Sequence, residues 1–360
     1  MAFFFVSLMC KSQVDSTQRN YFLSLNSGYG FIMPHHKSIE YNIVDHIRPL
    51  SLRAGFRPTG GKDWHSYYRF PEIGLGVYGS NLGNDKVYGF SYALYTYFKS
   101  PFITRPIWHL DYEIAFGLSW LTKKFDVENN YQNIAIGSST NIYFDAGLMA
   151  SFRLHSRLYL LSGLQFIHFS NGKITSPNKG LNVVTSSIGL QYFFNENSYG
   201  KYNQAKAQKK TFIPSNYFQG IYAHGIKSIS RMEDGFFYAS SLSLEYHKKY
   251  NRKYNWGLGL DLFYDGTSGL SENQITADFT TNFFQLGLHA SHDLMVGRMA
   301  LIMQVGGYLW LPGKAEAPIY NRIGLRYTFD SGIIANLSLK SHYAQASFIE
   351  FGIGYQLEYQ

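Results

Sequence analysis

The sequence predicts an all-β protein, a transmembrane antiparallel β-barrel, on three observations. Aromatic residues make up 18% of the 360 residues and charged residues only 16%, below the roughly 25% of ordinary soluble domains. No run of about 18 apolar residues occurs, which excludes a helical membrane protein. Instead, many segments alternate apolar with small or polar residues at period 2, as lipid-facing and lumen-facing residues of a barrel do.

The first twelve residues predict a signal peptide. Residues 1–12 are mostly apolar up to Cys10 and end at Ser12, a small residue suited to a cleavage site. A hydrophobic N-terminal arm is the alternative interpretation. Cys10 is the only cysteine in the sequence, so neither an internal disulfide nor a cysteine zinc site is expected.

The alternating segments recur in both halves of the chain. They include residues 50–57, 108–117, 142–153, 256–262, 322–329 and 350–359. Their polar faces carry glycines and charges of both signs, Arg53, Arg57, Asp111 and Glu113, which can compensate one another inside a narrow barrel. A soluble β-sandwich would show the same alternation, but its polar face would meet water and would not need compensating charges.

The strands fall into two groups. About eight are predicted in residues 20–195 and about eight more in 211–360, on either side of a polar, basic linker at 196–210. Because periplasmic turns in such barrels are short, a linker of this length after an even number of strands predicts two modules. One larger barrel of about sixteen strands is the alternative. The net charge of +8 is spread without a basic stripe, so nucleic acid is not an expected partner.

One hairpin in the first half carries the candidate chemistry. His168 and Ser170 share a strand face with Leu164, so both are predicted to point outward, where polar side chains are costly. Asn182 begins the next strand on the same outer side, and closure of the hairpin would make it a cross-strand neighbour of His168. A serine, a histidine and an amide in this arrangement can act as nucleophile, base and orienting group. A belt of polar residues at headgroup level is the alternative.

The same hairpin carries the pattern His-x-Ser-Asn, then a loop, then Pro-Asn-x-Gly. The residues that form this pattern are His168, Ser170, Asn171, Pro177, Asn178 and Gly180. The stretch from about residue 20 to 195 resembles the outer-membrane lipid A 3-O-deacylase family, the PagL-like acyloxyacyl hydrolases.

The resemblance implies a role for each matching residue. Ser170 would be the nucleophile and His168 the general base, while Asn171 and Asn178 would contribute to the oxyanion site, where we also place Gly172. The family pattern continues with an acidic residue, and this chain has Asn182 at that position. An amide can hold an imidazole tautomer but stabilises imidazolium less than a carboxylate does.

We therefore expect an outer-membrane serine esterase that removes an ester-linked acyl chain from lipid A in the outer leaflet, with lipopolysaccharide and outer-membrane lipids as partners and no metal or cofactor. A non-catalytic barrel scaffold is one alternative, with Asn182 as the mark of lost activity. A channel is another, and it would need the single large barrel, because eight-stranded barrels are filled by side chains. Other histidines lack partners at metal-ligand spacing and are expected in loops or in the lumen; these are His35, His36, His289 and His292.

Overall fold

A computed structural model describes residues 19–58, 60, 62–196, 212–228, 235–267, 283–312, 317–343 and 345–359. The predicted signal peptide and all but the first residue of the predicted linker lie outside the described residues. Within them, sixteen strands form two closed antiparallel barrels of eight strands each. The two short helices are far from the length and apolarity that a membrane-spanning helix needs.

The first barrel contains strands β1 to β8 and the two short helices. Its elements are β1 (Arg19–Ile32), α1 (Lys37–Glu40), β2 (Leu50–Pro58), α2 (Asp63–Tyr67), β3 (Glu72–Asn81), β4 (Phe90–Thr104), β5 (Trp108–Leu121), β6 (Thr140–Arg153), β7 (Leu158–Ser170) and β8 (Leu181–Phe193). The second barrel contains only strands among the described residues. They are β9 (Ser215–Lys227), β10 (Phe237–Lys249), β11 (Tyr254–Asp265), β12 (Phe284–Val296), β13 (Met299–Trp310), β14 (Ile319–Thr328), β15 (Ile333–His342) and β16 (Gln345–Tyr359).

Each barrel closes through its own first and last strands. Leu25 of β1 pairs with Leu190 of β8, and Tyr222 of β9 pairs with Ile353 of β16. Every described strand therefore has two neighbours, and neither barrel leaves an unpaired edge among the residues that the structure describes, as a membrane-spanning sheet requires. The prediction of two sets of eight strands is confirmed, and the alternative of one larger barrel is wrong.

The alternation seen in the sequence separates a lipid-facing surface from a polar interior. Leu118 points outward and is 62% exposed, whereas Asp111 on the same strand points inward and is fully buried. Large aliphatic and aromatic side chains cover the outside of both barrels, as contact with lipid requires.

The interiors are filled by paired charges and aromatic rings. In the first barrel Arg53 Nη1 lies 2.8 Å from Glu113 Oε2, and Lys99 Nζ lies 2.7 Å from Glu72 Oε2. In the second barrel Arg322 Nε donates to Glu350 Oε2 at 2.6 Å. Each of these ions is almost completely buried and has an opposite charge beside it, which offsets the desolvation of both. The predicted compensation of interior charges is confirmed.

The connections at one end of the first barrel are mostly long. They are residues 33–49, 82–89, 122–139 and 171–180, and the last of these joins β7 to β8. At this end the second barrel contacts the β7–β8 connection, because Ser228 N donates to Lys173 O at 3.1 Å. At the opposite end Tyr68 Oη donates to Met295 O at 2.7 Å. The two barrels thus contact each other at both ends.

Arg322 tests how far the second barrel depends on its interior charges, because it donates to Glu350, Gln304 and Asp261. We expect Arg322→Met to lower the free energy of unfolding by about 3–5 kcal/mol, since the carboxylates would remain buried without their cation. Urea titration in detergent, followed by the mobility of the folded protein on gels, measures this. Arg298→Met is the matched control, because the ion pair of Arg298 with Asp330 is exposed, and it should leave the midpoint unchanged. Equal midpoints for the two variants would contradict the proposed dependence.

Candidate active site

Strand β7 places His168 and Ser170 on the outer surface of the first barrel. Their neighbours Ile167 and Phe169 point into the barrel and are buried, whereas His168 and Ser170 are half-buried on the outer face. The predicted orientation of both side chains is confirmed. Both are among the last three residues of β7, next to the long β7–β8 connection.

Asn182 lies directly opposite His168 in the β7–β8 register. The two side chains meet, and His168 Nδ1 is 2.6 Å from Asn182 Oδ1. An amide oxygen only accepts hydrogen bonds, so Nδ1 carries the proton and Nε2 of His168 is left as the basic nitrogen. The amide thus holds the imidazole in the tautomer that a general base needs.

The connection between β1 and β2 also contacts this pair of side chains. His35, in the connection between β1 and β2, has Nδ1 3.2 Å from Asn182 Nδ2. Its Nε2 is 2.9 Å from Lys179 O. The prediction of a loop histidine is confirmed for His35, but its contact with the site was missed, since it lies 147 residues from Asn182 in sequence.

The hydroxyl oxygen of Ser170 accepts two hydrogen bonds. They come from Asn178 Nδ2 at 2.8 Å and from Gly172 N at 3.2 Å. Among the described residues these two are its hydrogen-bond partners, and His168 is not one of them. A hydroxyl has two lone pairs and one proton, so with both lone pairs occupied the proton is free to be donated to a base.

The β7–β8 connection is held by the side chains of its own asparagines. Asn178 Oδ1 accepts from Asn171 N at 3.1 Å, which turns the Asn178 amide nitrogen toward Ser170. Asn171 Nδ2 donates to Ser138 Oγ and to Thr175 O, both at 3.0 Å. The Asn171 side chain is therefore committed to the loop, and the polar hydrogens directed at Ser170 belong to Gly172 and Asn178.

Gly180 brings the connection close to the imidazole. Its φ of +75° is in the left-handed region, and a Cβ at this position would lie 2.7 Å from Cε1 of His168. Its N–H donates to Ala135 O at 2.9 Å, which ties it to the β5–β6 connection. A glycine is required here both by the backbone conformation and by the contact with the ring.

The second barrel reaches the same connection at Gly172. Ile349 is on the outward face of β16, where Phe351 is 53% exposed, yet Ile349 itself is only 6% exposed. Gly172 packs against it, because a Cβ there would collide with the Ile349 side chain. The residues around Ser170 are therefore supported by both barrels.

Metal chemistry has no donor set in the part of the chain that the structure describes. No three His, Cys, Asp or Glu side chains there lie close enough together to hold an ion.

Two solved structures align with this chain at low identity. The Neisserial surface protein A (NspA) aligns with 48% of this chain and 96% of its own, at 11% identity and a TM-score of 0.33. A triple mutant of the Rhodopseudomonas blastica porin aligns with 94% of this chain and 100% of its own, at 10% identity and a TM-score of 0.18. No curated protein matches the chain.

Two family models match, one on each barrel. The model described as lipid A 3-O-deacylase (PagL) matches residues 50–191, which include His168, Ser170 and Asn182. The model described as the C-terminal domain of acyloxyacyl hydrolase matches residues 215–359, from the first strand of the second barrel to the last. The two matches cover most of the chain, which is an outer-membrane β-barrel protein of the PagL lipid A deacylase family.

Proposed function

We propose that this protein is a serine esterase that cleaves an ester-linked acyl chain from lipid A in the outer leaflet. The observation that carries the proposal is the short hydrogen bond from His168 to Asn182 on the outer face of the barrel, two residues from Ser170. Membership of the deacylase family supports the substrate class. The structure supports the assignment of roles within the site.

The first step is attack by Ser170 on the ester carbonyl. Ser170 Oγ gives its proton to Nε2 of His168 as the Oγ–carbon bond forms, and the carbonyl oxygen becomes an oxyanion. Asn182 keeps Nδ1–H of the resulting imidazolium hydrogen-bonded at its oxygen. Because the amide is neutral, it stabilises this cation less than a carboxylate would.

The oxyanion needs hydrogen-bond donors that are already in place. Gly172 N and Asn178 Nδ2 donate to Ser170 Oγ in the resting enzyme. In this proposal they turn to the carbonyl oxygen as Oγ uses a lone pair to bond to the carbonyl carbon. When the tetrahedral intermediate collapses, His168 gives its proton to the leaving alcohol oxygen of lipid A, and an acyl–serine ester remains. Water activated by His168 then releases the fatty acid and restores Ser170.

The position of the site fits a substrate that is already in the membrane. His168 and Ser170 lie on the lipid-facing side of β7, above the exposed Leu164, and Ile188 on β8 is exposed in the same way. An acyl chain can therefore lie along the barrel wall while its ester reaches Ser170 at the level of the headgroups. No passage through the barrel interior is needed, and both interiors are filled by side chains.

Ser170→Ala and His168→Ala should each abolish deacylation, because one removes the nucleophile and the other the base. Both residues are on the outer face, so the barrel should still fold. Mass spectrometry of lipid A from cells that express wild type, each variant or no protein measures the loss of the acyl chain. Full activity in either variant would contradict the proposed roles, and identical lipid A with wild type and without protein would favour the non-catalytic scaffold.

Asn182→Glu should raise the deacylation rate by about tenfold, since a carboxylate would stabilise the imidazolium by a charge-assisted hydrogen bond. A factor of ten corresponds to about 1.4 kcal/mol of transition-state stabilisation. The rate is measured with purified wild type and variant on the same lipid A in the same detergent. An unchanged rate would show that the amide orients His168 as well as an acid does.

Gly180→Ala should displace the imidazole, because the new methyl group would lie 2.7 Å from Cε1 of His168. We expect a loss of activity of at least about tenfold, the effect of removing one aligned hydrogen bond in the transition state. The control is Gly79→Ala on β3, where a Cβ would have only an ordinary contact of 3.5 Å with Tyr92. Equal deacylation rates for the two variants would show that the close approach at Gly180 does not position His168.

A further inference from the structure

The contact of His35 with Asn182 determines which way the Asn182 amide faces. Lys179 O can only accept a hydrogen bond, so Nε2 of His35, 2.9 Å away, is the donor. In a neutral imidazole the other nitrogen is then an acceptor. Nδ1 of His35 therefore requires the NH₂ group of Asn182, which lies 3.2 Å away.

The orientation of the Asn182 amide in turn determines the tautomer of His168. With its NH₂ group directed at His35, Asn182 presents its oxygen to His168 Nδ1. A reversed amide would place NH₂ against His168 Nδ1, and only the tautomer protonated at Nε2 could accept from it. In that tautomer Nε2 could not take the proton of Ser170.

We propose that His35 is a positioning residue of the active site, which fixes the Asn182 amide and through it the reactive tautomer of His168. A carboxylate would not need such a partner, because both of its oxygens accept hydrogen bonds. An amide has one accepting oxygen and one donating NH₂ group. With Asn182 in place of an acid, a neighbouring group is needed to determine which of the two faces His168. This inference rests on the proposed function for its kinetic test.

The kinetic test compares His35→Ala with wild type on purified lipid A. We expect kcat to fall by about tenfold, which corresponds to about 1.4 kcal/mol, with KM changed by less than about twofold, since His35 acts on the base and not on substrate binding. His35→Asn should restore most of kcat, because its side-chain oxygen can accept at the position of Nδ1. His36→Ala is the matched control, since His36 is also exposed and bonds to Ser38 at the start of α1.

A double-mutant cycle separates positioning from a general effect on the loop. Asn182→Asp has the same shape but two accepting oxygens, so the loss caused by His35→Ala should shrink in that background. A loss of the same size with Asn182 and with Asp at this position would overturn the proposal. So would a value of kcat for His35→Ala equal to that of the His36→Ala control.

A spectroscopic measurement tests the inference without turnover. In ¹⁵N-histidine-labelled wild type, His168 should show a protonated Nδ1 and an unprotonated Nε2, and His35→Ala should shift it toward a mixture of tautomers. His36→Ala should leave the His168 signals in place. Unchanged His168 signals in His35→Ala would overturn the inference. If the His168 signals shift in His35→Ala but the wild-type protein fails to deacylate lipid A, only the proposed function is overturned.

Discussion

The closed ladder of hydrogen bonds in each barrel is the constraint on which the rest of the structure depends. Closure forces every second residue inward and the others toward lipid, so a side chain's face is fixed by its position in the strand. Inside, this leaves charges that must be neutralised locally, as Arg53 and Glu113 are. On the outside, His168 and Ser170 point away from the polar interior. Their side chains are held by hydrogen bonds with Asn182 on β8 and with the β7–β8 connection.

The sequence was sufficient to predict the fold class, the faces of the strands and the opposition of His168 and Asn182, because all three follow from period-2 alternation and one hairpin. It predicted two modules only from the linker at 196–210, with one barrel of about sixteen strands as the alternative. That choice depends on the pairing of β1 with β8 and of β9 with β16, which joins strands distant in sequence and has no local signature. The partners of individual interior charges were unpredictable for the same reason.

The connections carried the least information in advance. The Asn171 side chain matched the motif, yet its amide is used to hold the β7–β8 connection through Ser138 and Thr175. His35 belongs to no motif and lies outside the matched residues 50–191. Only the folded arrangement of the connections brings it to Asn182, so a single sequence offers no pattern from which its contact could be read.

The partner of His168 is the amide of Asn182 where the family pattern has an acid, and this has a physical consequence. An ionised acid at the upper edge of the lipid-facing surface would have to be desolvated, at a cost that its hydrogen bonds would need to offset. A neutral amide avoids that cost but stabilises the His168 imidazolium less. Its oxygen and its NH₂ group also differ, so neighbouring residues have to fix its orientation. The second barrel adds a further restraint, because Ile349 packs against Gly172, whose N–H donates to Ser170. The reactive groups therefore depend on four separate supports: the register of β7 and β8, the β1–β2 connection, the β5–β6 connection, and the outer wall of the second barrel.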